Sequence, residues 1–443
     1  MTAEKRVRVS QCMIVKNEEA NIERALSWGK GFVWEQIVVD TGSTDRTAAL
    51  AEKFGAAVYH FDWIDDFAAA KNFAIEKAKG EWIAFLDADE FLTSDHVAKL
   101  YAILQGGECC RYDGISTDWL QLDDNGNVFS GGTQVRFFRN LPTLRYRRRI
   151  HEQLGFTDGR EMRLGDISRE VAVLHDGYHG IAYENKKKSG RNYQLILKEL
   201  SDNPLDYEMT GYMGDEYQSN GEAEEAARWY WKSIQLMPEA VPESDQRSAV
   251  TFTRLLKIIT EQFPQRVHEI QEIFDKGTKL VPWEADLNYI MARYCMVNRD
   301  YKKARSYMIE SLDKMERFGC TGRAMMLSVN QDDAWGILAA CSYHLCQYQE
   351  AVQYAVLVLK NWPYSMQTLC ILITVLVKDE KNQEAAAAAI EEFLEGLYDF
   401  SALKDKLFVW KAAQKAGAGS LETRIFNRFL PEELACLNIE KER

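Results

Sequence analysis

Over the first 90 or so residues, short apolar runs alternate with segments of helical periodicity. "RVSQCMIV" reads as a strand and "NEEANIERALSW" as an amphipathic helix. "QIVVD" is a second strand, and "TDRTAALAEKFG" a second helix with Gly55 as its stop. "AAVYHF" is a third strand, "DFAAAKNFAIEKAKG" a third helix closed by Gly80, and "WIAFL" a fourth strand. This alternation predicts an α/β domain, with a parallel sheet covered by helices on both faces. Ligands of such sheets bind beyond the carboxyl ends of the strands. Asp40 follows the second strand, and Asp87 and Asp89 follow the fourth, so all three are expected at one edge.

The pattern then changes. From about residue 105 to 180, turn signals such as "DDNGN" and pieces such as "TQVRFFRN" predict hairpins. "TLRYRRRIHEQL" is basic until Glu152, and "VAVLHDGYHG" reads as one more strand ending in a loop. From "ENKKKSGRNYQLILKEL" onward the chain reads as helical. Three segments there share a spacing of small and aromatic residues. The first has Gly214, Tyr217, Ala226, Tyr230 and Pro238; the second Ala292, Ala304 and Met308; the third Trp335, Leu338, Ala339, Ala351 and Pro363. Small residues where paired helices touch, with a proline after the second helix, are the tetratricopeptide signature. The period is uneven: Ala226 to Ala304 is 78 positions and Ala304 to Ala351 is 47. The expected organisation is an α/β domain over 1–185, a linker helix over 186–204 and a tetratricopeptide-like helical domain over 205–443.

Composition narrows the function classes. A chain of 443 residues has room for two or three domains. Its net charge of −13 argues against nucleic acid as a partner. Nine cysteines without regular spacing, two of them the adjacent Cys109 and Cys110, suggest reduced thiols and a cytoplasmic protein. The N-terminal stretch lacks the apolar core of a secretion signal. The longest apolar stretch, residues 369–377, is about half of what a membrane helix needs and is expected to be a buried helix.

The acids after "WIAFL" carry the candidate chemistry. In an extended segment Asp87 and Asp89 would point to the same side. Two such carboxylates suit a hard cation, Mg²⁺ or Mn²⁺, shared with substrate phosphates. A D-x-D alone is a weak signal, and exposed acids at a strand end are its plain alternative. In "VVDTGSTDRT", Ser43, Thr44 and Asp45 can cap the following helix. The cap leaves Asp40 unexplained, and an acid at that place can accept a hydrogen bond from a base N–H.

Together "MIVKNEE", "IVVDTGSTDRT", "DDFAAAKN" and "WIAFLDADE", in that order and spacing, resemble family 2 glycosyltransferases of the GT-A fold over residues 8 to 180. "RRIHEQL", "LHDGYHG" and the helical tail resemble a narrower group that includes the sublancin-type S-glycosyltransferases. The resemblance implies a GT-A, Rossmann-like domain and an inverting, metal-dependent hexosyltransferase using a nucleotide sugar, with a UDP-sugar the first expectation. It implies that Cys12 to Val15, with Asn17 and Glu18, line the base and ribose pocket. Asp40 would bind the base beside Thr41 and Ser43, and Lys71 and Asn72 would lie near the ribose or diphosphate. Asp87, Ala88 and Asp89 would form the D-x-D, with Asp87 and Asp89 as metal ligands and Asp89 the more direct one. A late histidine would complete the metal site, His175 first and His179 second. The base for the acceptor would be Glu152 or His151, where the family often has an acid pair. Each has a structural alternative: Lys71 as a solvated helix position, His175 as a core histidine, Glu152 as a partner of Arg145 and Arg147 to Arg149. Those arginines could also meet the diphosphate or an anionic acceptor.

Tetratricopeptide arrays bind extended peptides, so the tail points to a peptide or protein acceptor. A homodimer formed through the helical domain is the alternative use of the tail. Two other readings stand beside this one: transfer to a lipid-linked or cell-surface glycan, and a catalytically dead scaffold, against which intact Asp40, Asp87 and Asp89 weigh.

Overall fold

The structure, a computed structural model, describes residues 7–176, 190–243, 245–319, 324–378 and 383–436. His179 and the lysines 186–188 lie outside the described residues. The chain gathers into two compact units, Met1–Leu236 and Met237–Arg443.

The first unit is built on the expected parallel strands β1 (Val9–Val15), β2 (Glu35–Asp40), β3 (Ala57–His60) and β4 (Trp82–Phe85). They lie in the order β3-β2-β1-β4. Helices α1 (Ile22–Ser27), α2 (Thr47–Phe54) and α3 (Phe67–Lys77) connect them. β1, β2 and β4 read as apolar runs because both faces are covered, while the edge strand β3 is partly exposed. Cys12, Ile37, Val39, Ile83 and Phe85 pack with Ala68, Ala74 and Ile75 of α3. Met13, Val15 and Val38 pack with Ile22 and Leu26 of α1 and Ala51 of α2. Residues one apart on β1 and β2 thus face opposite layers, as period-two geometry requires.

Gly80 departs from its expected role. Helix α3 already ends at Lys77, with Ala78 as its C-cap. A Cβ on Gly80 would lie 2.7 Å from Ser10 N and 2.9 Å from Arg8 O, so glycine is needed there for the backbone to pass the start of β1.

Beyond β4 the sheet becomes mixed. It continues through β7 (Val128–Arg139), β6 (Gly114–Leu122), β11 (Ala172–His175) and β5 (Glu90–Phe91), with β10 (Leu164–Asp166) on β6. β7 runs antiparallel to both β4 and β6. The β6–β7 turn is the expected "DDNGN": Asp123 accepts from the N–H groups of Asn125 and Asn127. Helix α4 (Ser94–Gln105) covers this half, and β8 (Leu144–Arg147) pairs with β9 (Gln153–Phe156) in a separate ribbon.

Helices α5 (Arg191–Asp202), α6 (Tyr207–Ser219) and α7 (Ala223–Leu236) belong to the same unit. α6 and α7 are the first tetratricopeptide-like pair. A Cβ on Gly214 would meet the Tyr230 ring at 2.6 Å, and Ala226 and Tyr230 are fully buried.

The second unit is all helical. Its pairs include Asp286–Val297 with Tyr301–Phe318, and Gln331–His344 with Tyr348–Asn361. Ala292, Ala304, Ala339 and Ala351 are buried where these helices meet. The uneven period has a cause: the pair Gln246–Gln262 and Val267–Leu280 lies between the first two recognised copies. The short helix Met325–Val329 lies between the next two. The apolar stretch 369–377 is inside the helix Met366–Lys378, with Leu369, Leu372 and Ile373 fully buried. Among the described residues no helix is long and apolar enough to cross a membrane.

Candidate active site

Parallel pairing sets the carboxyl ends of β1 and β2 side by side, with Val15 opposite Asp40. The loops that follow are stitched together. The Asn17 N–H donates to Ser43 Oγ at 2.9 Å, and its side-chain oxygen accepts from the Thr44 N–H at 2.7 Å. The Glu18 N–H donates to Thr47 Oγ1 at 2.8 Å, and Thr41 donates to the Val15 carbonyl at 3.0 Å. Ser43 and Thr44 therefore serve this junction, while Asp45 accepts from the Thr47 N–H at the start of α2. Asn17 sits at φ 57, in the left-handed region that asparagine tolerates better than most residues. Asp40 is buried, and its carboxylate accepts from the Ser43 N–H at 3.0 Å, which fixes it inside the turn. His60 Nδ1 lies 3.4 Å from the same carboxylate.

The backbone after β4 is not extended. The Glu90 N–H donates back to the Asp87 carbonyl at 3.0 Å, so residues 87–90 form a turn and strand alternation does not apply. The three acids then take different partners. Asp89 lies 3.6 Å from His175 Nε2, both side chains largely enclosed. Asp87 lies 3.4 Å from Arg136 and is the more exposed of the pair. Glu90 is fully buried: it accepts from its own turn at the Asp87 N–H, from Trp119 Nε1 at 2.7 Å and from Arg136. Burial pushes the Glu90 carboxyl up against the pull of Arg136. Ala88 packs in the cluster of Met13 and Val15, which ties this turn to the end of β1.

Arg136 is the residue that sequence reasoning missed. Ile115 pairs with Phe137 and Ser116 with Val135, so Arg136 is the extra residue of a β-bulge in β7. A bulge re-aims a side chain out of the regular alternation, and here it aims a guanidinium at Asp87 and Glu90. The only signal in the sequence was an arginine inside the apolar "QVRFF".

Lys71 is buried on α3, not solvated, and its ammonium lies 2.7 Å from Glu152 Oε1. Burial alone would lower its pKa, but the carboxylates of Asp87 and Glu152 outweigh it and raise it well above the usual lysine range. The Tyr146 ring lies 5.1 Å from the ammonium, and burial pushes its phenol up to about 12. Glu152 therefore pairs with Lys71. Arg145 donates to the Leu141 and Leu144 carbonyls, Arg148 pairs with Asp206 and Glu208, and Arg149 with Asp202. Asn72 grips the backbone of Tyr146, donating to its carbonyl and accepting from its N–H, both at 2.9 Å. His151 stacks on Tyr212 with ring centroids 3.6 Å apart.

The candidates thus form three groups: Asp40 with the β1–β2 junction, Asp89 with His175, and Lys71 with Glu152 near Asp87 and Arg136. Among the described residues no group of three or more His, Cys, Asp or Glu side chains is gathered as a metal cage. A carboxylate and an imidazole at 3.6 Å do fit a divalent ion that takes its remaining ligands from phosphates and water.

Residues 10–162 match the model of glycosyl transferase family 2. This segment is a family 2 glycosyltransferase domain. The chain is 34% identical over 227 residues to a TPR repeat-containing protein of Synechococcus elongatus, covering 50% of this chain and 55% of that one. It is 26% identical over 225 residues to the glycosyltransferase SunS of Bacillus phage SPbeta, covering 50% and 52%. It spans about half the length of these curated relatives. Among solved structures, the TPR protein YrrB aligns with TM-score 0.36 and 15% identity, covering 49% of this chain and 97% of that one. S. aureus TarS 1-349, in complex with UDP-GlcNAc, aligns with TM-score 0.34 and 14% identity, covering 61% and 91%.

Proposed function

We propose that the chain is an inverting, metal-dependent glycosyltransferase that moves a hexose from a nucleotide sugar, a UDP-sugar, to a side chain of a peptide or protein. The reading assigns residues 1–185 to the transferase domain, 186–204 to a linker helix and 205–443 to a helical domain that holds the acceptor or a second copy of the chain. The free thiols of Cys12, Cys295, Cys341, Cys346 and Cys370 accord with a cytoplasmic setting.

The observation that carries the reading is the pairing of Asp89 with His175 beyond β4, on the edge where Asp40 ends β2. Asp40 accepts from the base, with Thr41, Ser43, Val15, Asn17 and Glu18 shaping its pocket. Asp89 and His175 would hold Mg²⁺ or Mn²⁺, whose charge offsets that growing on the leaving diphosphate. Arg136 holds Asp87 at the rim of this site, and Lys71 holds Glu152. Glu152, or His151 beside it, takes the proton of the acceptor hydroxyl or thiol. The acceptor atom bonds to the anomeric carbon from the face opposite the nucleotide. The carbon–oxygen bond to the diphosphate breaks with its electron pair on the departing UDP, and the configuration inverts.

The test is a panel of nucleotide sugars offered with Mg²⁺ or Mn²⁺ to the full chain, reading nucleotide release. One donor should be turned over slowly with water as acceptor, only with metal, and not by Asp89→Ala. Absence of turnover and of donor binding across the panel would overturn the reading.

A further inference from the structure

The five residues between β8 and β9, 148–152, make a strained loop. Arg148 at φ 76 and His151 at φ 51 both sit in the left-handed region. What holds them there comes from α5 and α6. Arg148 pairs with Asp206 at 3.1 Å and with Glu208. The Arg149 N–H donates to Glu199 at 2.5 Å and its guanidinium to Asp202 at 2.6 Å. Ile150 is buried among Leu195, Ile196, Met209 and Met213. His151 lies flat on Tyr212, with an interplanar angle of 5°. Past the loop, Gln153 donates to Glu208 at 2.7 Å. Glu152 pairs with Lys71 of α3 and also lies within electrostatic reach of Arg191 at the start of α5.

We infer that Tyr212, on the first helix of the tetratricopeptide-like pair, is a positioning residue for the acceptor-side base. Its ring face fixes the His151 plane, and with it the direction in which Glu152 leaves the backbone. The helical segment is then part of the catalytic apparatus as well as a surface for binding. This rests on the reading of Glu152 or His151 as the base. It does not depend on which of the two takes the proton, because the stack sets the geometry of both. Asp206 makes the arrangement rigid: it caps α6 by accepting from the Met209 N–H at 3.0 Å and holds Arg148 with the same carboxylate.

The test compares wild type, Tyr212→Ala, Tyr212→Leu and Tyr212→Phe in the full chain. Three quantities are read: Mn²⁺-dependent UDP affinity by calorimetry, kcat for hydrolysis of the donor that wild type turns over, and thermal melting. Tyr212→Phe keeps the ring face and should stay near wild type in all three. Tyr212→Leu keeps apolar bulk without the face and, like Tyr212→Ala, should lose about 10- to 100-fold in kcat while UDP affinity stays within about twofold. Wild-type kcat in Tyr212→Leu would overturn the inference, as would equal losses in the Phe and Leu variants. So would UDP affinity falling in step with kcat, which marks a structural role only. If wild type neither binds UDP nor turns over any donor, the transferase reading fails and this inference fails with it. An active wild type with an unaffected Leu variant overturns the inference alone.

Discussion

Lys71 and Glu152 form an ion pair at 2.7 Å with both side chains largely enclosed, 8% and 14% exposed. Removing one partner of such a pair strands the other charge, and this costs more than the pair itself contributes. Lys71→Met should therefore destabilise the first unit by roughly 3 kcal/mol, read by urea unfolding. The pH dependence has a definite sign. The folded-state pKa of Lys71 is raised above its ordinary 10.5, so its contribution is complete below that value and fades only as pH climbs through the raised one. The stability gap between wild type and variant should therefore not shrink between about pH 7 and pH 9.

Arg136 gives a prediction of the opposite pH character. Glu90 is buried and raised by that burial, and Arg136 is its counter-charge. In Arg136→Met the carboxylate is left without it, and a loss of roughly 3 to 5 kcal/mol is expected at neutral pH. Protonating Glu90 relieves the stranded charge, so the gap to wild type should narrow as pH falls from 7 toward 5. Adding Glu90→Gln should recover part of the loss and flatten its pH dependence. Denaturant midpoints across that range check both.

Asp40 does two things that a pair of substitutions separates. Its carboxylate accepts from the Ser43 N–H inside the turn, and it is proposed to accept from the nucleobase. Asp40→Asn keeps an acceptor for the turn but loses the charge. UDP affinity should fall about tenfold in Asp40→Asn and further in Asp40→Ala, and only the alanine variant should show a lowered melting temperature.

The sequence carried the parallel half of the sheet plainly. β1, β2 and β4 are apolar runs bounded by turns, and residues Cys12 and Met13 face opposite layers as period two demands. It carried the place of the acids as well: Asp40 is the last residue of β2, and the run of Asp87, Asp89 and Glu90 opens just past β4. Tertiary placement was not visible. Glu90 reads as a third acid of "DADE", yet it is the most buried of them, since Trp119 and Arg136 reach it from other strands. Arg136 itself depends on a bulge, and no local pattern fixes a bulge before β6 and β7 pair. Asn72 lies on the same helix as Lys71, but its amide closes on the backbone of Tyr146. The clamp on residues 148–153 joins positions some 50 to 60 apart in sequence, beyond any periodicity.

The most direct measurement of the central claim is UDP binding by calorimetry, with and without Mn²⁺, to wild type, Asp89→Ala and His175→Ala. Wild type should bind UDP tightly only with metal, and both variants should lose the metal-dependent part while keeping the weak metal-independent binding of wild type. Equal UDP binding with and without metal, unchanged by either substitution, would contradict it.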